Sequence, residues 1–249
     1  YQNMGWHYRR LVVPRILPQC RKIITVSHFE RNRIREALRL PDGQITTVYN
    51  GYSRHFYPQE DPSPITRKYI EESRYLFFLG NTDPKKNVPR TLKAYSLYRE
   101  KSPKPLPLLI ADIKEEILGS ILREQGIEHV RPHIVCPGYI PNTDLPYLYS
   151  GAFAFLYTSL RESFGIPLLE AMACGTPVVT SNTSSMPEVG GPGALLCDPT
   201  DAKDIAHKIL SLEKDPALYR QQIQYGLRRA KRFSWETTAT ELLSIYKSI

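Results

Sequence analysis

The sequence predicts an α/β protein in which a Rossmann-like, doubly wound parallel sheet is covered by helices on both faces. Three observations indicate this class: short segments are apolar throughout rather than alternating, helical segments separate them, and from Tyr75 onward the order strand-then-helix repeats. Strands that are apolar on both faces are typical of a parallel sheet covered on both sides. The repeated order is typical of a doubly wound domain.

Each element follows from its local pattern. The predicted strands are the short runs rich in apolar and β-branched residues: Ile23–Val26, Tyr75–Leu79, Leu106–Ala111, Ile134–Cys136, Ala152–Tyr157, Pro177–Ser181 and Ala194–Cys197. Asp201 and Ser234 stand at plausible N-cap positions of two helices. The predicted helices are Phe29–Leu40, Val88–Ser102, Lys114–Gln125, Thr143–Ser150, Pro167–Ala173, Ala202–Leu212, Ala217–Arg232 and Trp235–Lys247.

After the first predicted strand and helix, the sequence changes from apolar, periodic segments to turn-forming and polar residues, which predicts a domain boundary. The segment 44–58 contains the turn-forming pair Asn50-Gly51, and a polar stretch with several Pro and charges follows over residues 59–73. We therefore predict three parts, residues 1–50, 51–232 and 233–249. Because the chain opens with Tyr1 in the middle of a basic, aromatic run, we also expect an upstream part to be missing.

Bulk composition favours anionic partners. The formal net charge is +8 and the pI is about 9.3, which suits nucleotide phosphates, an anionic membrane face or nucleic acid. Basic stretches at residues 31–39 and 228–232 fit either solvated helix faces or a membrane-surface role. No apolar run has the length of a transmembrane helix. Neither the His nor the Cys residues show metal-ligand spacing, so we predict no metal site and no cofactor.

The most informative segment is Leu160-Arg-Glu-Ser-Phe-Gly-Ile-Pro-Leu-Leu-Glu-Ala-Met-Ala-Cys-Gly-Thr-Pro-Val-Val-Thr180. It predicts Glu162 in a loop, Pro167 at the first helical position, Glu170 just inside the helix and Gly175 at its end. A helix N-terminus offers free N–H groups and partial positive charge, which suits a phosphate. Carboxylate side chains at this position are instead suited to accept hydrogen bonds from hydroxyl groups. A phosphate and hydroxyls in one site indicate a nucleotide sugar.

This string resembles the Glu-(seven residues)-Glu signature of retaining glycosyltransferases of the GT-B fold, specifically glycosyltransferase family 4 (group 1). The resemblance implies that Glu162 faces the transferred sugar and that Glu170 accepts hydrogen bonds from the ribose. It also implies backbone contacts to the sugar or phosphate from Phe164, Gly165 and Ile166, with Ser163 standing where many members have Gly. Residues 1–50 would be the end of the N-terminal acceptor domain, residues 51–232 the donor-binding domain and residues 233–249 the crossover helix.

Two further loops follow predicted strands. Gly80-Asn-Thr-Asp-Pro-Lys-Lys-Asn87 resembles the phosphate-binding loop of the family, in which Lys86 matches the family Lys. Many members carry an Arg directly after the Gly; Asn81 stands there in this chain, and Lys85 could partly replace it. The segment that starts at Gly138-Tyr139-Ile140 resembles the lining of the nucleobase pocket, although a plain strand-to-helix turn fits it too.

Taken with the family, these residues predict retaining, metal-independent transfer of a sugar from a nucleoside diphosphate sugar to an acceptor hydroxyl. Glu162 and Lys86 are the predicted catalytic residues; the donor-binding set is Gly80, Asn81, Lys85, Lys86, Gly138, Tyr139, Ile140, Glu162, Ser163, Phe164, Gly165, Ile166 and Glu170. We expect GDP-mannose first among donors, in a mannosyltransferase of polysaccharide or lipopolysaccharide synthesis.

The expected acceptor is a glycan or a lipid-linked glycan. We expect a cytoplasmic location with peripheral contact to the anionic inner face of the membrane, and no nucleic-acid partner. Residues 1–249 alone should bind donor but transfer poorly. Two alternatives stay open: a GT-B nucleotide-sugar epimerase or phosphorylase, and a basic, non-enzymatic module that binds nucleic acid, which would be motivated by the +8 charge.

Overall fold

Two parallel sheets of unequal size carry the fold. A computed structural model describes residues 7–248, apart from the side chain of residue 9. Residues 1–6 of the predicted 1–50 segment and residue 249 of the predicted crossover helix therefore lie outside the described part. The smaller sheet contains β1 (Ile23–Thr25) and β2 (Ile45–Thr47), which pair in parallel. The prediction missed β2.

The larger sheet confirms the predicted α/β, doubly wound class. Its six strands are all parallel and lie in the order β5-β4-β3-β6-β7-β8. The chain first winds outward from β3 to β5, then returns beside β3 and winds the other way, so the switch point lies between β3 and β6. The strands are β3 (Leu76–Leu79), β4 (Leu108–Ala111), β5 (Ile134–Gly138), β6 (Ala154–Tyr157), β7 (Val178–Ser181) and β8 (Ala194–Cys197).

All eight predicted helices form, with ends that differ by a few residues. Asp201 and Ser234 cap their helices as predicted, since each side chain accepts a hydrogen bond from a first-turn N–H. Within residues 7–248, three short α-helices were not predicted: α1 (Val13–Ile16), α3 (Ser63–Thr66) and α8 (Met186–Gly190). The helices are α1 (Val13–Ile16), α2 (His28–Leu38), α3 (Ser63–Thr66), α4 (Val88–Lys101), α5 (Glu115–Gln125), α6 (Leu145–Gly151), α7 (Ile166–Ala173), α8 (Met186–Gly190), α9 (Ala202–Lys214), α10 (Pro216–Ala230) and α11 (Trp235–Lys247).

The core forms two layers, one on each face of the large sheet. Successive strand residues point to opposite faces, so Phe77 joins one layer while Leu76 and Phe78 join the other. The first layer packs α6 and α7 against the sheet, and the second packs α4, α5 and α9 against it. Burial on both faces explains why these strands are apolar throughout.

The chain crosses between the two sheets beside the start of α11. Tyr52 forms an isolated parallel bridge with Ser234, and the Thr238 hydroxyl donates to the Tyr49 carbonyl at 2.6 Å. A Cβ on Gly51 would overlap the backbone of Ser234 and Trp235, so only glycine fits at this crossing. The predicted boundaries at residues 50 and 232 stay predictions, although the chain does leave the small sheet after β2.

Helix α11 leaves part of its apolar surface uncovered, as Leu243 is 54% exposed and Tyr246 is 69% exposed. Over residues 7–248, no helix is both long enough and apolar enough to span a bilayer.

Candidate active site at the sheet switch point

A cleft of about 570 Å³ lies where the loops after β3 and β6 meet. Parallel sheets of this type bind ligands beyond the carboxyl ends of their strands, at the switch point. Seven of the predicted donor-site residues line the cleft: Lys85, Lys86, Glu162, Ser163, Phe164, Gly165 and Ile166. The structure thus brings together the lysine loop and the first part of the glutamate motif, which are far apart in sequence.

The two predicted catalytic residues contact each other. Lys86 Nζ lies 2.7 Å from Glu162 Oε1, and the side chains are only 16% and 14% exposed. The same ammonium stands 5.1 Å from the centroid of the Tyr157 ring. A charged pair at the wall of an open cleft can present a cation to a phosphate and a carboxylate to a hydroxyl.

The lysine loop is fixed by Asn87, which ends the 3₁₀ turn Pro84–Lys86 in a left-handed conformation with φ of 60°. Its buried amide donates to the carbonyls of Thr158, at 3.0 Å, and Pro199, at 2.8 Å. A left-handed conformation costs energy in a residue other than glycine, and these two hydrogen bonds offset that cost. The lysine position is therefore preorganised.

A direct backbone bond joins the two loops. The Leu160 N–H donates to the Lys85 carbonyl at 2.7 Å, two residues before Glu162. The Glu162 N–H donates to the Ser184 hydroxyl at 3.2 Å, and the Ser185 hydroxyl donates to the Glu162 carbonyl at 3.0 Å. Glu162 therefore lies in a loop, as predicted, but in one whose backbone is held on both sides.

Helix α7 begins at the cleft. Gly165 precedes it with φ of 97°, and a Cβ on this residue would lie 2.6 Å from Met186 Cε. Only glycine takes this backbone conformation readily. In the first turn of α7, Pro167 has no N–H and the Leu168 N–H donates to the Gly165 carbonyl at 3.1 Å. The helix end therefore offers the Ile166 N–H and a partial positive charge beside the Lys86–Glu162 pair.

Glu170 lies one turn further along α7 than Ile166 and outside the lining of the cleft. Burial raises the pKa of its carboxyl to about 7, and the Tyr149 hydroxyl, which donates to Glu170 Oε2 at 3.4 Å, lowers it to a smaller degree. Glu170 is in the middle of the helix rather than in its first turn. The ribose role stays a prediction.

The remaining predicted residues also lie outside the cleft lining. Gly80 continues β3 through a hydrogen bond from its N–H to the Ala111 carbonyl, and Asn81 accepts from the Asp83 N–H at 2.9 Å. Lys85, by contrast, lines the cleft at its rim, where it is half exposed and forms an ion pair with Asp83 at 3.1 Å.

The predicted nucleobase segment Gly138-Tyr139-Ile140 ends β5 and enters the turn before α6. Gly138 has φ of 78°, Tyr139 is 77% exposed and Ile140 is 4% exposed. The Gly138 carbonyl accepts from the Asp112 N–H at 2.8 Å. Contact of this segment with a base stays a prediction.

Five cleft residues were not predicted as site residues. Arg161 and Pro167 lie within the segment 160–180 that contains the glutamate motif and Tyr157 lies just before it, so their nearness in sequence was an available signal. Val26 and Asn50 come from the part of the chain before the large sheet, and no local pattern marks either of them as a site residue. Among the described side chains, no three His, Cys, Asp or Glu residues gather as a metal-binding group.

Comparison with known proteins assigns the chain to a family. Residues 65–229 match the family described as Glycosyl transferases group 1, and residues 1–56 match the one described as Glycosyltransferase Family 4. O-antigen chain mannosyltransferase B of Escherichia coli is 34% identical over 241 residues, which cover 93% of this chain and 61% of that protein.

Solved structures share the fold. Sucrose-phosphate synthase from Thermosynechococcus elongatus superposes with a TM-score of 0.81 at 25% identity, over 97% of this chain and 61% of that one. HepE from Anabaena, solved with UDP and glucose, gives a TM-score of 0.78 at 18% identity, over 92% of this chain and 64% of that one. The chain thus spans about three fifths of the length of these proteins. It belongs to the group 1 glycosyltransferases of glycosyltransferase family 4.

Proposed function

We propose that this chain binds the donor in a retaining, metal-independent glycosyltransferase that moves a sugar from a nucleoside diphosphate to an acceptor hydroxyl. The observation that carries the proposal is the Lys86–Glu162 contact of 2.7 Å in a cleft at the sheet switch point, beside the start of α7. Membership of a glycosyltransferase family supports the reaction class.

The diphosphate would take the positive side of the cleft. Lys86 supplies a cation, Lys85 on the rim can supply a second one, and the Ile166 N–H at the start of α7 can supply a hydrogen-bond donor. Charge grows on the diphosphate as the sugar leaves, and preorganised donors stabilise such charge most effectively. Because these groups can carry that charge, the proposed reaction needs no divalent cation.

Glu162 would face the sugar. When phosphate binds Lys86, the Glu162 carboxylate loses part of its ion pair and becomes available to a sugar hydroxyl and to the positive charge that develops at the ring. The leaving phosphate oxygen then accepts the acceptor proton on the face from which it departs, which retains the anomeric configuration. In this scheme Glu162 is not a covalent nucleophile.

The nucleoside would lie on the far side of α7. We propose that Glu170 accepts hydrogen bonds from the ribose hydroxyls and that the backbone at residues 138–140 contacts the base. For donor identity, the names of relatives offer two directions: the E. coli relative is an O-antigen chain mannosyltransferase, whereas HepE holds UDP and glucose. The relative of higher identity favours mannose, so we propose GDP-mannose as the donor.

The acceptor follows from the same relative. We propose a growing glycan, free or lipid-linked, in polysaccharide or lipopolysaccharide synthesis, with the enzyme on the cytoplasmic side of the membrane. The net charge of +8 would favour contact with an anionic bilayer surface.

Donor binding tests the proposal directly, because it requires no acceptor. We expect GDP-mannose to raise the Tm of the chain more than UDP-glucose or ADP-glucose does, as a ligand specific to the folded state must. Lys86→Met should weaken donor binding at least about tenfold in calorimetry, since one charge-assisted hydrogen bond contributes roughly 1.5–3 kcal/mol. Lys104→Met, at an exposed lysine far from the cleft, is the matched control and should bind like the parent chain.

Failure of all three nucleotide sugars to bind would refute the donor site, and equal affinity of Lys86→Met and the parent chain would refute the role of the lysine. Slow donor hydrolysis followed by proton NMR separates the alternatives. We expect mannose that first appears as the α-anomer together with GDP. Release of an epimerised sugar would instead indicate an epimerase, and formation of a sugar 1-phosphate only when phosphate is added would indicate a phosphorylase.

A further inference from the structure

Helix α2, which lies outside the large sheet, contacts the loop that carries Glu162. The Ser27 hydroxyl, at the N-cap of α2, donates to the Ser163 carbonyl at 2.7 Å. Glu30, in the first turn of α2 and 12% exposed, accepts from the Ser163 hydroxyl and from Arg161 Nη2, both at 3.2 Å. The residues on both sides of Glu162 are therefore held by one helix end.

Glu188 holds that helix end in place. Its Oε1 accepts from the His28 N–H at 2.7 Å and from the Tyr49 hydroxyl at 2.8 Å, and its Oε2 accepts from the Phe29 N–H at 3.0 Å. Two N–H groups that α2 cannot satisfy internally are thus satisfied by a carboxylate from another part of the chain. The negative charge also stabilises the positive end of the helix dipole.

The backbone that carries Glu188 is itself anchored. The Arg229 guanidinium donates to the carbonyl of Val189 at 2.9 Å and to the carbonyl of Glu188, and it lies 4.9 Å from the centroid of the Phe233 ring. The Tyr49 ring packs edge-on against Phe233 at 5.5 Å. Because the backbone of Glu188 and the ring of Tyr49 are both fixed, the Glu188 carboxylate can hold α2 in one position.

We infer that Glu188 is a positioning residue of the donor site: by capping α2, it holds Ser27 and Glu30 against residues 161–163 and so fixes the loop that carries Glu162. We call Glu188, Glu30 and Ser27 the junction clasp. The inference rests on the proposed function for its catalytic consequence, whereas the physical link from Glu188 to residues 161–163 stands independently.

The clasp also explains two cleft residues that no sequence pattern marks as site residues. Val26 directly precedes Ser27, and Asn50 directly follows the Tyr49 that donates to Glu188. Both residues lie at the cleft wall because the clasp holds the segments that carry them. Loss of the Glu188 carboxylate should therefore loosen the cleft wall and the Glu162 loop together.

Hydrogen exchange of the chain 1–249 tests the link without any substrate. In Glu188→Ala we expect amide exchange to accelerate at least about fivefold in peptides covering residues 26–34 and also in those covering residues 159–165. Asp215→Ala is the matched control, because Asp215 likewise accepts from two first-turn N–H groups, of α10, at 2.9 and 3.0 Å. It should leave both sets of peptides unchanged. Unchanged exchange over residues 159–165 in Glu188→Ala would overturn the inference.

Glu188→Gln is a milder variant for the case that Glu188→Ala does not fold. Its amide oxygen can still accept hydrogen bonds from His28 and Tyr49. Amide exchange in Glu188→Gln should therefore be faster than in the parent chain and slower than in Glu188→Ala. Donor hydrolysis supplies the catalytic readout. We expect a fall in kcat on the order of tenfold to a hundredfold with donor Kd changed less than about threefold, as expected of a misplaced catalytic group. In a Glu162→Gln background the same substitution should have little further effect on kcat.

Full additivity of the two substitutions would overturn the positioning role. If the parent chain bound no nucleotide sugar, the proposed function would fail, and the exchange experiment would still decide whether Glu188 holds the loop.

Discussion

Replacement of Glu170 by Gln is expected to stabilise the folded chain at neutral and alkaline pH while weakening its affinity for the donor. Burial raises the pKa of the Glu170 carboxyl from an ordinary 4.5 to about 7 in the folded chain. The folded state therefore binds this proton more tightly than the unfolded state does. The resulting stability is fully present below pH 4.5 and is lost as the pH rises through 7.

The size of the effect follows from the two pKa values. One pKa unit corresponds to about 1.4 kcal/mol, so the difference between 4.5 and about 7 gives an upper figure of about 3 kcal/mol. Partial solvent access to the carboxylate reduces it, and we expect about 2 kcal/mol between pH 5 and pH 8. Gln keeps the size of the side chain and an oxygen that accepts from the Tyr149 hydroxyl, but it does not ionise.

Urea unfolding of the parent chain and Glu170→Gln at several pH values between 5 and 8 measures this difference. The free energies of unfolding should be close at pH 5 and should separate by about 2 kcal/mol at pH 8, with Glu170→Gln the more stable. A separation that stays constant across this range would refute the assignment of a raised pKa to Glu170.

Glu170→Gln is expected to lower the affinity for the donor, although it raises the stability of the folded chain. Ribose hydroxyls that donate to Glu170 favour the ionised carboxylate, so donor affinity should increase from pH 6 to pH 8 in the parent chain. Glu170→Gln should bind the donor more weakly at pH 8 and should lose this part of the pH dependence. Calorimetry at both pH values measures it, and an unchanged donor Kd would remove Glu170 from the ribose site.

Three other predictions concern the cleft. Gly165→Ala should cost about 2 kcal/mol in unfolding experiments and abolish donor binding, because φ of 97° strains any other residue and the new Cβ would press on Met186; near-parent donor affinity would contradict the close-approach role. Asn87→Ala should cost about 2–3 kcal/mol and weaken donor binding, since the Thr158 and Pro199 carbonyls lose their buried donor; loss of stability with unchanged donor Kd would show that Asn87 does not orient the lysine loop. EDTA should leave the donor Kd unchanged, and a tenfold loss of affinity on chelation would contradict metal independence.

The large sheet was predictable because its strands are buried on both faces and so carry a continuous apolar signal. Strand β2, Ile45–Thr47, was missed because only one of its three residues is apolar and it leads into the turn-forming Asn50-Gly51. Strand β1 is equally short, but its region reads Ile-Ile-Thr-Val and carries the apolar signal. Helices α3 and α8 are one-turn elements, too short for a 3.6-residue periodicity to appear. Short elements are set by tertiary packing rather than by their own pattern.

That Lys86 and Glu162 lie close together could be predicted from the sequence. Each follows the carboxyl end of a strand, and ligands bind at that edge of a parallel sheet. The contribution of Val26 and Asn50 could not be predicted, because it depends on how the segment before the large sheet docks. Glu188 illustrates the same limit. Its hydrogen bonds to α2, and the link from α2 to Ser163, exist only in three dimensions.

The crossing at Gly51 limits how such chains can be recombined. Residues 49–52 touch the start of α11 so closely that a side chain on Gly51 has no space, and Thr238 bonds to the Tyr49 carbonyl. Tyr49 and Thr238 are 189 residues apart in sequence, yet the two segments that carry them fit closely together. A chimera between relatives that is joined after residue 52 would take them from different parents, whereas a joint placed before residue 49 would keep both from one parent. Segments from another relative should therefore be joined upstream of this crossing.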